Sequence, residues 1–469
     1  MASLFSRQEI HAIGPGLPAH ERFGALLAIM LGVCVASLDT AIANTALPTI
    51  ANELRVSEAA STWVVSGYQL AMVAALLPAA ALGDVLGHRR VFLWGLVLFT
   101  VSSLGCGLAD SLPALVGWRL VQGLGAAGVM GINGALVRVV YPSGMLGRGL
   151  GLNALVVGLA FAGGPTAASL VLLLGSWHWL FLINVPICAV AVFYGLRFLP
   201  ATERHSHGFD GLAALLCAAA LALLASTLTE AAHQATVESV IVQAVLGFVL
   251  LAWLLKRQSG HPAPILAMDL LRNPVFALSA ATAVCSFAAQ ALAFISLPFL
   301  LQSLLGYSQV ETGFLITPWP LVVAAMAPLA GRLSDRYEPG LLCGIGLALL
   351  ALGLLSLALL PPHPTVAGIV WRMALCGAGF GFFQSPNLRA IMGSAPASRS
   401  GGASGMVGTV RLLGQSSGAA LVAACFHVSS TNGAVYALWL GAACAASAAV
   451  FSFLRLKRAG AGGLVTCGS

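Results

Sequence analysis

The strongest constraint on this chain is a succession of apolar runs, each about as long as a bilayer is thick. A helix that crosses the hydrocarbon core needs roughly 20 mostly apolar residues. Runs of that kind fall near 23–45, 62–82, 91–109, 113–138, 150–172 and 179–197, then near 211–229 and 239–255. Six more fall near 275–302, 312–331, 340–360, 366–388, 400–426 and 432–454. Of the 469 residues, 59% are hydrophobic and only 8% charged, against about 25% charged in soluble domains. A water-facing fold cannot hide so much apolar surface, so lipid is the expected solvent. The expected fold class is an all-α polytopic membrane protein with fourteen transmembrane helices. The connections are too short to hold a folded extramembrane domain.

Loop charges orient those spans. The formal charge of +7 would ordinarily suggest nucleic acid or an acidic partner. Here it has another source. With the N-terminus inside, eighteen of the 22 Lys and Arg fall on cytoplasmic loops and tails, one (Arg55) falls outside, and three (Arg119, Arg372, Arg411) fall within spans. The positive-inside rule therefore predicts two cytoplasmic termini and an even number of crossings. No nucleic-acid partner is expected. Residues 1–22 hold no apolar stretch of the kind a cleavable signal needs. The ten cysteines stand singly, most of them inside apolar runs, with no CxxC pair and no Cys/His cluster. They read as small buried hydrophobes, without a disulfide framework or metal site.

The chain also repeats itself. "GDVLGHRR" (83–90) follows the second span and "GRLSDRYEPG" (331–340) follows the tenth. "GWRLVQGLGAAG" (117–128) opens the fourth span and "VWRMALCGAGFG" (370–381) the twelfth. Two six-span halves with shared landmarks imply a duplicated transporter architecture with its site between the halves. The expected organisation is a tail at 1–22, a first half at 23–200, two inserted spans within 201–258, a second half at 259–455 and a tail at 456–469.

Charged groups inside spans mark function by default. Asp39 is the only one of the 15 acids that falls within a span. Counted from Phe23 it lies about 24 Å from the inner surface, and Arg119, counted from Pro113, about 9 Å below the outer surface. The two sit at comparable depth. Burial favours the neutral form of a carboxyl group and a nearby cation favours the ionised form, so such a pair can take up and release a proton. It can equally hold two helices together, and Arg119 can snorkel to the outer headgroups. Arg372, at the repeat-equivalent place, faces no acid and reads as snorkelling or helix packing. Arg411 lies near mid-membrane in "GTVRLLGQSSGAA", too deep to snorkel, and is expected to bond backbone carbonyls or Gln415. Asn44, Gln69, Gln122, Asn133, Gln290, Gln384 and Asn387 are polar groups inside spans that could line a cavity or satisfy a neighbouring helix. Tyr68 and Trp319 could add an aromatic wall.

Four stretches together resemble the major facilitator superfamily, and within it the fourteen-span drug:proton antiporter family of multidrug efflux type. They are "LDTAIANTALPTIA" in the first span, "STWVVSGYQLA" opening the second, "GDVLGHRRVF" after it and "SWHWLFLINVPI" at the start of the sixth. The resemblance runs from about residue 24 to 455. It implies proton coupling by Asp39 with Arg119, both lining the central cavity. It implies a gating latch at Asp84, Gly87, Arg89 and Arg90, with a second copy at Asp335 and Arg336. In that latch Ala80 and Val85 replace a usual glycine and arginine, His88 occupies a basic place, and the second copy lacks the later basic residues. The resemblance also places an antiporter motif on the fifth span, where Gly151, Gly164 and Pro165 fit and Ala160, Ala168 and Ser169 stand in for glycines.

The expected activity is therefore export of small amphiphilic compounds against protons by alternating access, without a cofactor, by a monomer in a bacterial cytoplasmic membrane. Expected partners are the bilayer, the substrate and protons. Proton-coupled or passive uptake of a small solute is the alternative. The chain has no P-loop or HExxH sequence and its ten histidines are scattered, which disfavours an ATP-driven pump or a membrane enzyme. One buried acid against three arginines favours neutral, zwitterionic, monocationic or weakly anionic substrates over dications. If Asp39 were not the coupling group, Glu311 would be the nearest acid left.

Overall fold

The computed structural model describes residues 17–141, 146–201, 210–232, 237–258, 268–334, 336–395 and 400–463. Each expected span corresponds to a helix. The first half comprises α1 (Ala19–Leu54), α2 in two segments (Glu58–Ser61 and Trp63–Leu86), α3 (His88–Gly107), α4 (Leu112–Val140), α5 (Leu146–Leu174) and α6 in two segments (His178–Leu182 and Asn184–Phe198). The helices α7 (Gly211–Ala232) and α8 (Val237–Arg257) follow. The second half comprises α9 (Pro274–Phe299), α10 in two segments (Gln309–Ile316 and Pro318–Leu333), α11 (Pro339–Ala358), α12 (Val366–Ser394), α13 (Ser400–Val428) and α14 (Gly433–Gly463). Among the described residues, twelve helical stretches are long and apolar enough to cross a membrane. Of the other two helices, α7 offers a shorter apolar stretch, Gly211–Thr227, and α13 is rich in glycine and serine. The helices run beyond the apolar runs; α1 spans 36 residues, because its polar ends continue the helix where the interface can hydrate it.

The duplication is visible in the packing. In the first half α2 and α3 pack on α4, α5 and α6 pack on α1, and α6 packs on α3. In the second half α10 and α11 pack on α12, α13 and α14 pack on α9, and α14 packs on α11. Two glycines set matching close approaches. At Gly123 a Cβ would collide with the Tyr68 carbonyl of α2, and at Gly377 with the Trp319 carbonyl of α10. The halves meet along α1 with α9, α2 with α13 and α5 with α10, while α7 packs on both α2 and α13. Below, the near face is the one at which α1 begins, and the far face the one at which it ends.

Apolar side chains cover the outside. On α8, Val242, Val245, Phe248, Val249 and Trp253 are all more than half exposed. So wide an apolar belt needs an apolar solvent. Two arginines counted as loop charges are instead buried at helix ends. Arg22 donates to the Leu17 carbonyl (2.8 and 3.2 Å). Arg455 donates to Ser279 Oγ (2.6 Å) and Asn387 Oδ1 (3.1 Å). The described cysteines are free thiols.

Candidate functional site

Asp39 is the one buried carboxylate among the described residues, 1% exposed. Four helices close around it. Arg119 and Gln122, three residues apart on α4, share one helix face. Arg119 Nη1 donates to Asp39 Oδ2 in an ion pair, and also to Gln122 Oε1 (2.6 Å). Asp39 Oδ1 accepts from Gln122 Nε2 (3.0 Å) and from Asn184 Nδ2 (2.8 Å). Asn184 comes into reach because α6 begins anew there, after the short segment that ends at Leu182. Gln122 also donates to Ser103 Oγ of α3 (2.8 Å). α2 completes the shell with residues one turn apart: the Val64 carbonyl accepts from Arg119 Nε (2.9 Å), and the Tyr68 ring lies 4.3 Å from the guanidinium carbon. Phe181 covers Arg119 from another side at 5.5 Å. Arg119 is fully buried and so does not snorkel.

Asp39 does not line the central cleft, contrary to expectation. The cleft between the halves is narrow in this structure, about 20 Å³ or room for about one water, and is lined by Ala36, Ser37, Thr40, Tyr68, Gln69 and Met72 on one side, Met130 and Phe161 beside them, and Arg411, Leu412 and Gln415 on the other. Tyr68 stands between the two sites. Its ring packs against Arg119, its hydroxyl donates to the Ala36 carbonyl (3.3 Å), and the same side chain walls the cleft. Helix rotation explains the difference: Thr40 turns to the cleft while Asp39, the adjacent residue, turns into the first half.

The polar residues expected in a cavity separate into two groups. Gln69 and Arg411 line the cleft. Gln122 belongs to the Asp39 shell, Asn133 accompanies Asn153 (2.9 Å), and Asn387 donates to the Ser279 carbonyl (3.2 Å). Asn44 is buried on α1 with its side-chain oxygen unpaired. Gln290 and Gln384 are half-buried and are not among the lining residues. Trp319 is buried edge-on to Phe294. Arg372 donates to the Ser356 and Gly368 carbonyls (3.0 and 2.6 Å) and lies over Trp371, a helix-packing arrangement. Arg411 makes neither the carbonyl bond nor the Gln415 bond expected of it; its Nε is buried without a partner. Glu311 is occupied as half of a capping box with Ser308, at the start of the first α10 segment.

On the far face α1 and α5 are joined to α10 across the halves, while beside α9 and α13 a cavity of about 920 Å³ lies between the halves, lined by Val56, Glu58, Phe299, Ser303 and Phe426 among others. Thr166 and Thr317 share a hydrogen bond (2.6 Å), Ser169 donates to the Gln309 carbonyl (2.8 Å), and Gln309 donates to Thr49 (2.6 Å). Small residues make the α5–α10 junction close. Gly313 leaves no room for a Cβ against Ser169 and the Pro165 carbonyl, and Gly164 leaves none against Ala41. Gly151 and Pro165 lie in the same α5. We expect Gly313→Val to force α5 and α10 apart, because the Pro165 carbonyl is backbone and cannot rotate away. A cysteine placed at Thr49 should then react with a water-soluble maleimide several-fold faster than in the parent. An unchanged rate would mean that α5 and α10 do not form that junction.

Among the described residues, no hydrogen bond or ion pair joins the loop at 83–90 to the second half. Asp84 pairs with His88 (3.1 Å) and not with Arg89 or Arg90. Arg89 donates to the Leu196 carbonyl of α6 (2.6 Å), Arg90 is exposed, and Gly87 takes a positive φ of 97° where α2 breaks into α3. The reason is the turn at Gly87, which folds His88, the first residue of α3, back against Asp84 in the last turn of α2. Arg336 is exposed, and Asp335 lies outside the described residues.

Comparison with known proteins agrees with this architecture. The family model described as Major Facilitator Superfamily matches residues 29–419. The chain is 49% identical over 445 residues to the uncharacterized transporter YebQ of Escherichia coli, covering 94% of this chain and 97% of that one. It is 32% identical to the multidrug resistance protein Stp of Mycobacterium tuberculosis, over 89% of this chain and 76% of that one. It is 29% identical to the riboflavin transporter RibZ of Clostridioides difficile, over 88% and 90%. Among solved structures, a POT family transporter in complex with a thioalcohol-conjugated peptide superposes with a TM-score of 0.71 at 15% identity, over 93% of this chain and 96% of that one.

Proposed function

The chain belongs to the major facilitator superfamily of membrane transporters, and from that premise we propose that it is a drug:proton antiporter exporting small amphiphilic compounds by alternating access. The observation that carries this reading is Asp39. It is a buried carboxylate held by one arginine and two neutral amides, and one aromatic ring divides it from the cleft. Relatives named for multidrug resistance support export.

The geometry suggests how coupling works. A proton arriving at Asp39 removes the charge that holds Arg119. The guanidinium is then left to the Val64 carbonyl and the face of Tyr68. Tyr68 also walls the cleft, so a change at Arg119 reaches bound substrate through that ring. Substrate pressing on Tyr68 acts in the reverse direction, as linkage requires. No cofactor is invoked; the proton gradient supplies the drive, and a single chain carries every part of the site.

We place both termini in the cytoplasm of a bacterium on the loop charges. The far face, where α5 and α10 close together, is then the external one. The two halves rock about the cleft, with α7 and α8 as an addition between them. The loop at 83–90, whose bonds among the described residues stay within the first half, fits a latch that engages only when the outside opens. Asp84→Asn should slow transport about tenfold, a change in cycling of about 1.4 kcal/mol, while substrate affinity stays within a factor of two. Lost affinity with an unchanged cycling rate would contradict the latch. The whole proposal is tested by expressing the chain in a host stripped of its pumps, screening for compounds tolerated at higher dose, and measuring their flux in vesicles with and without a pH gradient. Resistance without any pH dependence would overturn proton coupling.

A further inference from the structure

We infer that the transported compound carries an acidic group, and that Arg411 reads it; this rests on the transporter reading above and names the substrate class of the same cleft. Arg411 stands near the middle of α13, eleven residues from its start, too deep for its head to reach an interface. It lines the cleft. Among the described residues no carboxylate pairs with it, since Asp39, the buried acid, is taken by Arg119. Its Nε is buried with no hydrogen-bond partner, and so is Oε1 of Gln69 across the same cleft. The charge of the central region therefore does not balance: one carboxylate faces two guanidinium groups. An unpaired cation at this depth is costly, and cancelling that cost is what an anionic guest can do.

The rest of the wall defines the guest further. A guanidinium presents parallel N–H donors that match the two oxygens of a carboxylate. Tyr68, Met72, Met130 and Phe161 supply an aromatic and thioether surface for an apolar body. Gln69 and Gln415 supply neutral polar contacts. Once the cleft widens, the chemistry these side chains match is a monocarboxylate on an aromatic or aliphatic frame, an organic acid of amphiphilic shape. An organic dication fits poorly, because it would meet Arg411 with like charge.

The test uses the full chain in detergent, with 1-naphthoate and its neutral amide 1-naphthamide as probes and unfolding temperature as the readout. Naphthoate should stabilise the chain and naphthamide should bind at least about tenfold more weakly, the usual worth of a charge-assisted contact. Arg411→Gln should erase the difference between the two probes. Gln415→Glu is a second variant: one turn from Arg411, its carboxylate should occupy the guanidinium and block naphthoate while sparing naphthamide. Asp39→Asn should keep the naphthoate preference even though it loses proton drive, which separates failure of this inference from failure of the coupling reading. No stabilisation by naphthoate, an equal effect of naphthamide, or a preference that survives in both Arg411→Gln and Gln415→Glu would overturn the inference.

Discussion

Asp39→Asn protein, reconstituted in vesicles, is expected to exchange substrate downhill and to build no gradient when a pH difference is imposed. Asparagine keeps the size of the side chain and can still accept from Gln122 and Asn184, which hold Asp39 Oδ1 at 3.0 and 2.8 Å. It cannot bind and release a proton. The expected effect on accumulation is total, because no other buried carboxylate is present among the described residues, and Glu311, the alternative the sequence offers, is engaged by Ser308. The yield of folded protein should fall as well, since the Arg119 charge is left buried and unpaired, so accumulation is compared with downhill exchange by the protein that does fold. Arg119 then keeps the Val64 carbonyl, the Gln122 oxygen and the Tyr68 ring. Accumulation that survives in the variant would make Asp39 a helix-packing residue.

Arg119→Ala is expected to be worse for the fold than for any single contact. Removing one member of a buried ion pair leaves the other charge unpaired, at a cost of about 3–5 kcal/mol. It also empties a volume enclosed by Tyr68, Phe181 and Val64. Arg119→Ala should therefore lower the unfolding temperature and the yield of folded protein. The double variant Arg119→Gln with Asp39→Asn removes both charges and keeps much of the volume, so yield should recover while accumulation stays absent. Such a rescue is the signature of an electrostatic pair. If the double variant is as unstable as Arg119→Ala, the loss comes from packing and not from the unpaired carboxylate.

The sequence shows the pair and hides its surroundings. Apolar run edges and the fixed rise of a helix put Asp39 and Arg119 at one depth, and the structure joins them. What the runs cannot give is rotation. A helix apolar on nearly every side carries no stripe to show which face turns inward. So Thr40 and not Asp39 faces the cleft, and Gln122, which reads as a cavity residue, is the partner of Asp39. Asn184 escaped notice although "FLINVPI" lies within a stretch that stood out, because its reach depends on the helix restarting after Leu182. Arg22 and Arg455 look topogenic, since hydropathy does not distinguish a charge that caps a bundle from one beside it. Arg411 misled in the other direction. Gln415 four residues on suggested a local bond, but the side chain turns to the cleft with no bond to it.

Proton release is the most direct test of the central claim that Asp39 is the coupling group. Purified chain in weakly buffered detergent, at a series of pH values, would receive a substrate from the susceptibility screen while a pH-sensitive dye records the change. Opposed binding of substrate in the cleft and proton at Asp39, linked through Tyr68, requires release of up to about one proton per chain on binding at the pH where Asp39 is protonated. The account predicts that release from the wild-type chain and from Asp84→Asn, and none from Asp39→Asn that still binds substrate. Equal release from Asp39→Asn and the wild type would contradict it.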